Sequence, residues 1–491
     1  MKKYLIIPLL ALFMLTLYAC SDEETPQNRV QILNFYYLND LHGALLEGHS
    51  EMGMARIGTF LIDEATNQQD STIILGGGDM VQGTLASNAF YGENTVKVMD
   101  EVSFDATVIG NHEFDWGLKT VTRYYDDTRD APYQAQHPLL GANVFYDNTT
   151  EIPSGIEPYV MINRQGLKIG IIGTMEAGLE SSILASEIEG YYFADPVPII
   201  EDLSKTLRSA YDADIVVVIS HDRGETLNVP LANFDEASRI DAVFNGHSHQ
   251  VEASKINHMP TLISGSSGSH VGHVQIQVVD GVVHNATSRN LGPQSDARFN
   301  TPSRHIESVI ESYQEAISPL YEPDLTAKGF QSQRDLTQWM SQLMMDATNA
   351  DFGFQNTGGT RDTFQDKEPV SLARLYDVFP FDNTVVTVSV EGREVQSLMN
   401  GNPNYATRID MDTFDLNETY KIATNNYVFY HPFNALQEGQ DITYKSLDLF
   451  DLAVHAYQQM IDLGDQFDTQ MPLNIEYYDQ WTTNDGVHAT P

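Results

Sequence analysis

The sequence predicts an α/β (α+β) protein in two unequal domains, with one polar site where buried strands leave the core. Three observations predict it. Five apolar runs in the first half each end in residues able to hold a metal. Strand, loop and helix patterns alternate from Val30 to about Asn300. A helix-period segment then separates this half from the rest. The 491 residues are enough for two or three domains.

Taken in order, the chain starts with a targeting pattern. Lys2 and Lys3 precede an apolar run, residues 4–19, too short to span a bilayer and suited to a signal peptide. It stops at Leu17-Tyr18-Ala19-Cys20, which resembles a bacterial lipoprotein cleavage box. Residues 1–19 are then a signal peptide and residues 20–29 a tether acylated at Cys20. Cys20 is the only cysteine, so no intrachain disulfide forms. Ser21-Asp22-Glu23-Glu24 resembles a signal that sends lipoproteins to the cell surface; the periplasmic face of the outer membrane stays open. The implied membrane contact is through lipid alone. Net charge is −41, a field that repels nucleic-acid polymers.

The five runs follow. Residues 32–38 lead into Asn39-Asp40-Leu41-His42-Gly43, and residues 71–75 into Gly76-Gly77-Gly78-Asp79. Residues 106–109 lead into Gly110-Asn111-His112-Glu113-Phe114-Asp115. Residues 215–219 lead into Ser220-His221, and residues 240–244 into Asn245-Gly246-His247-Ser248-His249. Runs without polar alternation read as strands covered on both faces. Sites on such sheets lie beyond the carboxyl ends of the strands. Asp40, His42, Asp79, Asn111, His221, His247 and His249 offer nitrogen and oxygen donors and no thiolate. That set suits zinc, manganese or iron. Seven donors exceed one tetrahedral ion and fit two ions sharing a carboxylate, about 3.5–4 Å apart. Residues 167–173 form a further strand that carries no ligand. His258, His270 and His273 read as structural, and Asp105 and Asp222 as loop carboxylates.

These motifs, in this order, resemble the metallophosphoesterases. Gly110-Asn111-His112-Glu113-Phe114-Asp115-Trp116-Gly117 resembles the 5′-nucleotidase branch in particular. The resemblance implies a two-sheet αββα sandwich over residues 30–300. It implies a joining helix at 301–321 and a smaller α+β substrate-binding domain at 322–491. The first helical turn is read from Ser303 as N-cap, with Ile306, Val309, Ile310, Tyr313 and Ile317 on one face.

The second half is similar to the 5′-nucleotidase C-terminal domain in Asn356-Thr357-Gly358-Gly359-Thr360-Arg361 and Pro380-Phe381-Asp382-Asn383-Thr384. The resemblance implies that Arg361 and Arg334 bind phosphate, that Asn356 belongs to the same site, and that Phe381 and Tyr427 stack on a base. Arginine's planar fork matches phosphate oxygens. Two departures stand out. The family's Gly-Gly-Asp-Gly is replaced by Val428-Phe429-Tyr430-His431 after Tyr427. Its Glu-Ser/Cys-x-x-Gly-Asn stretch is replaced by Thr337-Gln338-Trp339-Met340-Ser341-Gln342.

For the chemistry, the resemblance implies that Asp40, His42 and His249 hold one ion and Asn111, His221 and His247 the other, with Asp79 bridging. His112 would face the reacting group, with Asp115 fixing its tautomer. The expectation is an exported two-metal phosphohydrolase acting on nucleotides, of 5′-nucleotidase, UDP-sugar hydrolase or 2′,3′-cyclic phosphodiesterase type. A non-nucleotide phosphoester substrate, or a non-catalytic metal-containing surface binding protein, stays open. Oligomeric state is not legible.

Overall fold

Apolar runs with no polar register have to be covered on both sides, and two layers of sheet between helices do that here. The computed structural model describes residues 29–48, 50–184, 187–431, 435–464 and 466–473. The expected signal peptide, Cys20 and the expected tether up to residue 28 lie outside the described residues. The first strands are β1 (Val30–Leu38), β2 (Thr72–Gly76), β3 (Ala106–Val108), β4 (Leu139–Leu140) and β5 (Val144–Tyr146). Then come β6 (Tyr159–Arg164), β7 (Leu167–Met175), β8 (Tyr191–Phe193), β9 (Ile215–His221) and β10 (Ala242–Asn245). The half closes with β11 (Val251–Ile256), β12 (Met259–Ser264), β13 (Val271–Val279) and β14 (Val282–Leu291).

One sheet has the order β14-β13-β1-β2-β3-β4 and the other β11-β12-β10-β9-β7-β6. Strands β1 to β4 run parallel, as do β7, β9, β10 and β12. Side chains alternate across each strand. Leu33, Phe35 and Tyr37 of β1 therefore face Ile169, Ile171, Val217 and Phe244 of the other sheet. Tyr36 and Leu38 face outward onto helices Met54–Asn67 and Glu93–Val102. Helix Pro196–Ala210 covers the outer face of the second sheet through Ile200 and Leu207. This is the expected αββα sandwich. The sequence pattern did not single out β11 and β14. Both are edge strands with a solvent face, so their apolar content is low.

The joining helix is Arg304–Ile317, and the Ser303 hydroxyl accepts from the Ile306 amide. Ile306, Val309 and Ile310 bury against the first half, while Ile317 packs with Ala373 and Tyr376 of the second. The second half contains β15 (Leu325–Thr326), β16 (Phe352–Phe354), β17 (Pro369–Val370) and β18 (Thr384–Glu391). It ends with β19 (Ala406–Thr407), β20 (Thr419–Asn425) and β21 (Gln440–Asp448). A mixed sheet, β19-β16-β20-β18-β21, carries helices Gln333–Thr348 and Leu449–Asp462 on one face. Among the described residues no helix is long and apolar enough to cross a membrane.

His273 is structural, as the sequence suggests. It stacks on Tyr36 at 4.9 Å, and its Nδ1 accepts from Arg289 Nε. Burial, and then the Arg289 charge, pull its pKa down to about 4. The unfolded chain takes up this proton near pH 6.5, the folded chain only near 4. The fold therefore loses stability as pH falls between those values, by up to about 3 kcal/mol from this group. His273→Gln should flatten the fall of Tm between pH 6.5 and 4 relative to the parent; an unchanged slope would contradict this.

Candidate functional site

The carboxyl ends of β1, β2, β3, β9 and β10 converge, and each hands over to a loop within two residues. The loops turn sharply. Asp40, His42, Asp79, His247 and His249 all have left-handed backbone, with φ between 50° and 64°. Residues with a Cβ rarely adopt it, and Asp and His tolerate it better than most. Strain of this kind persists where the surroundings over-determine it. Glycines make the room. A Cβ on Gly78 (φ 81°) would lie 2.7 Å from His221 Nδ1, and one on Gly110 would lie 2.3 Å from Asp79 Oδ1. Glu113 ties the loops together, accepting from the amides of Asp79, Met80 and Gly110 at 2.7–2.9 Å. Burial, then the Asp79 charge, push its carboxyl up to about 7.

All seven candidate donors meet. His221 Nδ1 donates to the Gly77 carbonyl at 2.8 Å. Its Nε2 then faces Asp79 Oδ2 at 3.0 Å, Asn111 Oδ1 at 3.1 Å and Asp40 Oδ1 at 4.0 Å. That ring of oxygen acceptors is satisfied either by a proton on Nε2 or by a cation held between the donors. His42 repeats the arrangement. Its Nδ1 donates to the Gln82 carbonyl at 3.0 Å, and its Nε2 faces His249 Nε2 at 3.1 Å. Asp40 Oδ1 is buried and accepts no hydrogen bond. Three triads, Asp40/His42/His249, His42/Asp79/His112 and Asp79/His221/His247, each bring their donor atoms within 4.8 Å of one another. An orphaned carboxylate oxygen and lone pairs pre-aimed by backbone carbonyls fit divalent metal ions.

The electrostatics agree. Burial pulls His221 down, but Asp79 and then Asp40 outweigh it and push His221 up to about 10. That pocket demands positive charge, which a metal provides in place of a proton. Burial, and then His221, pull His247 down to about 4, so its ring is neutral and offers a lone pair.

His112 stands beside the ligands on the turn His112–Phe114. Its Nδ1 pairs with Asp115 Oδ2 at 2.8 Å, and its Nε2 lies 3.9 Å from Asp79 Oδ2. Burial lowers its pKa, yet Asp115 and then Asp79 more than offset this and hold it above its ordinary value.

Across from His112 the second domain closes a cleft of about 880 Å³, open mouth included. Asn111, His112, Asp115 and His247 line one wall; Asn356, Arg361, Phe381 and Tyr427 line the other. The Phe381 ring stacks on His112 at 5.7 Å and 24°, with the Arg361 guanidinium 5.7 Å from the ring centre. Asn356 accepts from Asn425 Nδ2 at 2.8 Å, and Asn425 caps the short helix that carries Tyr427. Gln82 donates to the Pro380 carbonyl at 2.9 Å and Asn88 to Tyr376 at 3.0 Å, so the two walls are tied.

Arg334 departs from expectation. It is exposed near the start of helix Gln333–Thr348 and does not line this cleft. Its neighbour Gln333, also exposed, donates to the Thr360 carbonyl at 2.6 Å. The sequence reading also missed contributors. Gln82, Trp116, Asp382 and Asn383 line the cleft, and the last three sit inside motifs already quoted. Glu176, just past the end of β7, pairs with Arg223 at 2.7 Å, and Arg223 Nη2 touches His247 Nε2 at 2.6 Å.

Comparison with known proteins matches this geometry. Residues 33–251 match the calcineurin-like phosphoesterase model, and residues 322–414 the 5′-nucleotidase C-terminal domain. The chain is 23% identical to endonuclease YhcR of Bacillus subtilis over 83% of its own length, and it spans 38% of that protein. It is 26% identical to a 5′-nucleotidase of Vibrio cholerae, covering 82% of both chains. The fold is that of a 5′-nucleotidase precursor from Thermus thermophilus, with a TM-score of 0.75 at 19% identity, over 91% of this chain and 98% of that one. The chain thus joins a calcineurin-like phosphoesterase domain to a 5′-nucleotidase C-terminal domain.

Proposed function

We propose that this chain is a two-metal phosphohydrolase that releases phosphate from nucleotides. We further propose that it is exported and anchored through lipid on Cys20. The observation that carries the activity is His112 with Asp115, set between the metal-donor cluster and a cleft wall bearing Arg361, Phe381 and Tyr427. Divalent ions, when bound by the seven donors, supply Lewis acidity that activates water and neutralises phosphoryl charge. Asp115 accepts from His112 Nδ1, which fixes the tautomer and aims Nε2 at the cleft. There it can hydrogen-bond the phosphoryl group or hand a proton to the leaving oxygen. Arg361 offers its fork to the remaining oxygens. Phe381 and Tyr427 offer ring faces to a base, at about 1–3 kcal/mol for each stack.

Arg361→Ala should raise KM by roughly 10–100-fold, the loss of a charge-assisted hydrogen bond. Metal content should stay unchanged; steady-state kinetics beside elemental analysis checks both. The test of the function is phosphate release from AMP, ADP, ATP, UDP-glucose, a 2′,3′-cyclic nucleotide and an aryl phosphate. Each is measured with zinc or manganese and with chelator. Metal-dependent release favouring a nucleotide is the expected result. Release from the aryl ester alone would give the cleft a different ligand, and silence on every ester with metal bound would leave a binding protein.

A further inference from the structure

The cleft holds a carboxylate that the activity proposed above leaves unused. Among the described residues two carboxylates line it, Asp115 and Asp382. Asp115 is committed to His112 Nδ1 at 2.8 Å. The Asp382 side chain makes no hydrogen bond or ion pair with any described residue. Its backbone, by contrast, is pinned on both sides. The Pro380 carbonyl accepts from Gln82 of the first domain at 2.9 Å, and the Asn383 carbonyl accepts from the Leu449 amide at 2.9 Å. The next amide, that of Thr384, donates to Asn426 Oδ1 at 3.3 Å. Desolvation at the cleft wall, then the Asp115 charge, push the Asp382 carboxyl up to about 6. It is therefore ionised at neutral pH and can only accept.

We propose that Asp382 reads the sugar of the nucleotide, its carboxylate accepting from the two neighbouring hydroxyls of a ribose. The inference rests on the nucleotide reading above. Placement points there. Phe381, whose ring face suits a base, is the residue before it, and the Arg361 guanidinium, suited to phosphate, lies 5.7 Å from that ring's centre. In a nucleotide the sugar joins base to phosphate, so it has to cross the wall these residues form. Chemistry points there as well. A phosphate is anionic and rich in acceptors, so a carboxylate repels it. Sugar hydroxyls donate, and two on adjacent carbons match the two oxygens of one carboxylate. Other polar groups of this wall are already engaged or of the wrong kind. Asn356 Oδ1 accepts from Asn425, and the Arg361 guanidinium can only donate. A carboxylate held by its backbone and unpaired before binding has no internal bond to break when the hydroxyls arrive.

The test is steady-state hydrolysis of AMP, 2′-deoxy-AMP, 3′-deoxy-AMP and IMP by full-length protein supplied with zinc or manganese. Parent, Asp382→Ala and Asp382→Asn are compared, with Tm and metal content of each as checks. A hydrogen bond to a charged acceptor is worth about tenfold or more. The parent should therefore favour AMP over each deoxy analogue by at least ~10-fold in kcat/KM, chiefly through KM. In Asp382→Ala that preference should shrink to within about twofold, because AMP loses a contact that the analogues never made. Asp382→Asn keeps one acceptor oxygen and should fall between. The ratio of AMP to IMP should be the same in all three proteins. A variant that slows AMP and its deoxy analogues equally would overturn the proposal and make Asp382 a support for the wall. A parent indifferent to either hydroxyl would overturn it while leaving the nucleotide reading in place. An altered ratio of AMP to IMP, with the ribose preference intact, would assign Asp382 to the edge of the base instead. Release from none of these nucleotides would sink the nucleotide reading and this inference together.

Discussion

Asp79→Asn is expected to lose metal and at least about 1,000-fold in activity while the fold persists. Asp79 belongs to two of the three donor triads, and its Oδ2 lies 3.0 Å from His221 Nε2. A carboxamide has the same shape and no charge. It cannot offset two cations, nor hold up the His221 pocket that demands one. The fold should survive because backbone hydrogen bonds hold the loop and an asparagine Oδ1 can still accept from the His112 amide, as Asp79 Oδ1 does at 2.8 Å. The Asp79 amide donates to Glu113, and its carbonyl accepts from the His42 amide at 2.9 Å. Asparagine also accepts the left-handed conformation at φ 51°. Elemental analysis, Tm and phosphate release on one preparation check all three parts. Full activity in this variant would end the bridging role of Asp79.

His112→Gln is expected to separate chemistry from metal binding. The rate constant kcat should fall by about 10²–10⁴, the usual range for a positioned acid or electrostatic stabiliser. Metal content should be that of the parent, because the seven donors remain. Asp115→Asn should cost less, since His112 keeps its place and loses only its orienting acceptor. A His112 variant stripped of metal, with kcat restored by excess ion, would show His112 to be a ligand instead.

Much of the site was legible because each donor is local to a strand end. Uninterrupted runs such as 215–219 announce a buried strand, and the next polar residues must then emerge at the same edge. His42, His221 and His249 need no long-range knowledge to be placed there. Arg334 shows the limit. Spacing within a helix does not say which face turns to the cleft, and Arg334 lies on an exposed one. The Glu176–Arg223–His247 chain shows another. Its members lie on three separate loops, and no short pattern couples them. Strands β11 and β14 were illegible for a third reason, since a solvent-facing edge strand buries too little to mark itself.

The donors divide between the layers. Asp40, His42, Asp79 and Asn111 come from the first sheet, His221, His247 and His249 from the second. His42 and His249, nearly in contact, are 207 positions apart along the chain. Ions gripped from both sides would rivet one layer to the other, long after the intervening chain had paired. Occupancy at 100 times Kd adds about 2.7 kcal/mol against unfolding. Chelation would then be visible in a urea melt of the protein with no ester present, as a lower midpoint and a sandwich easier to peel apart.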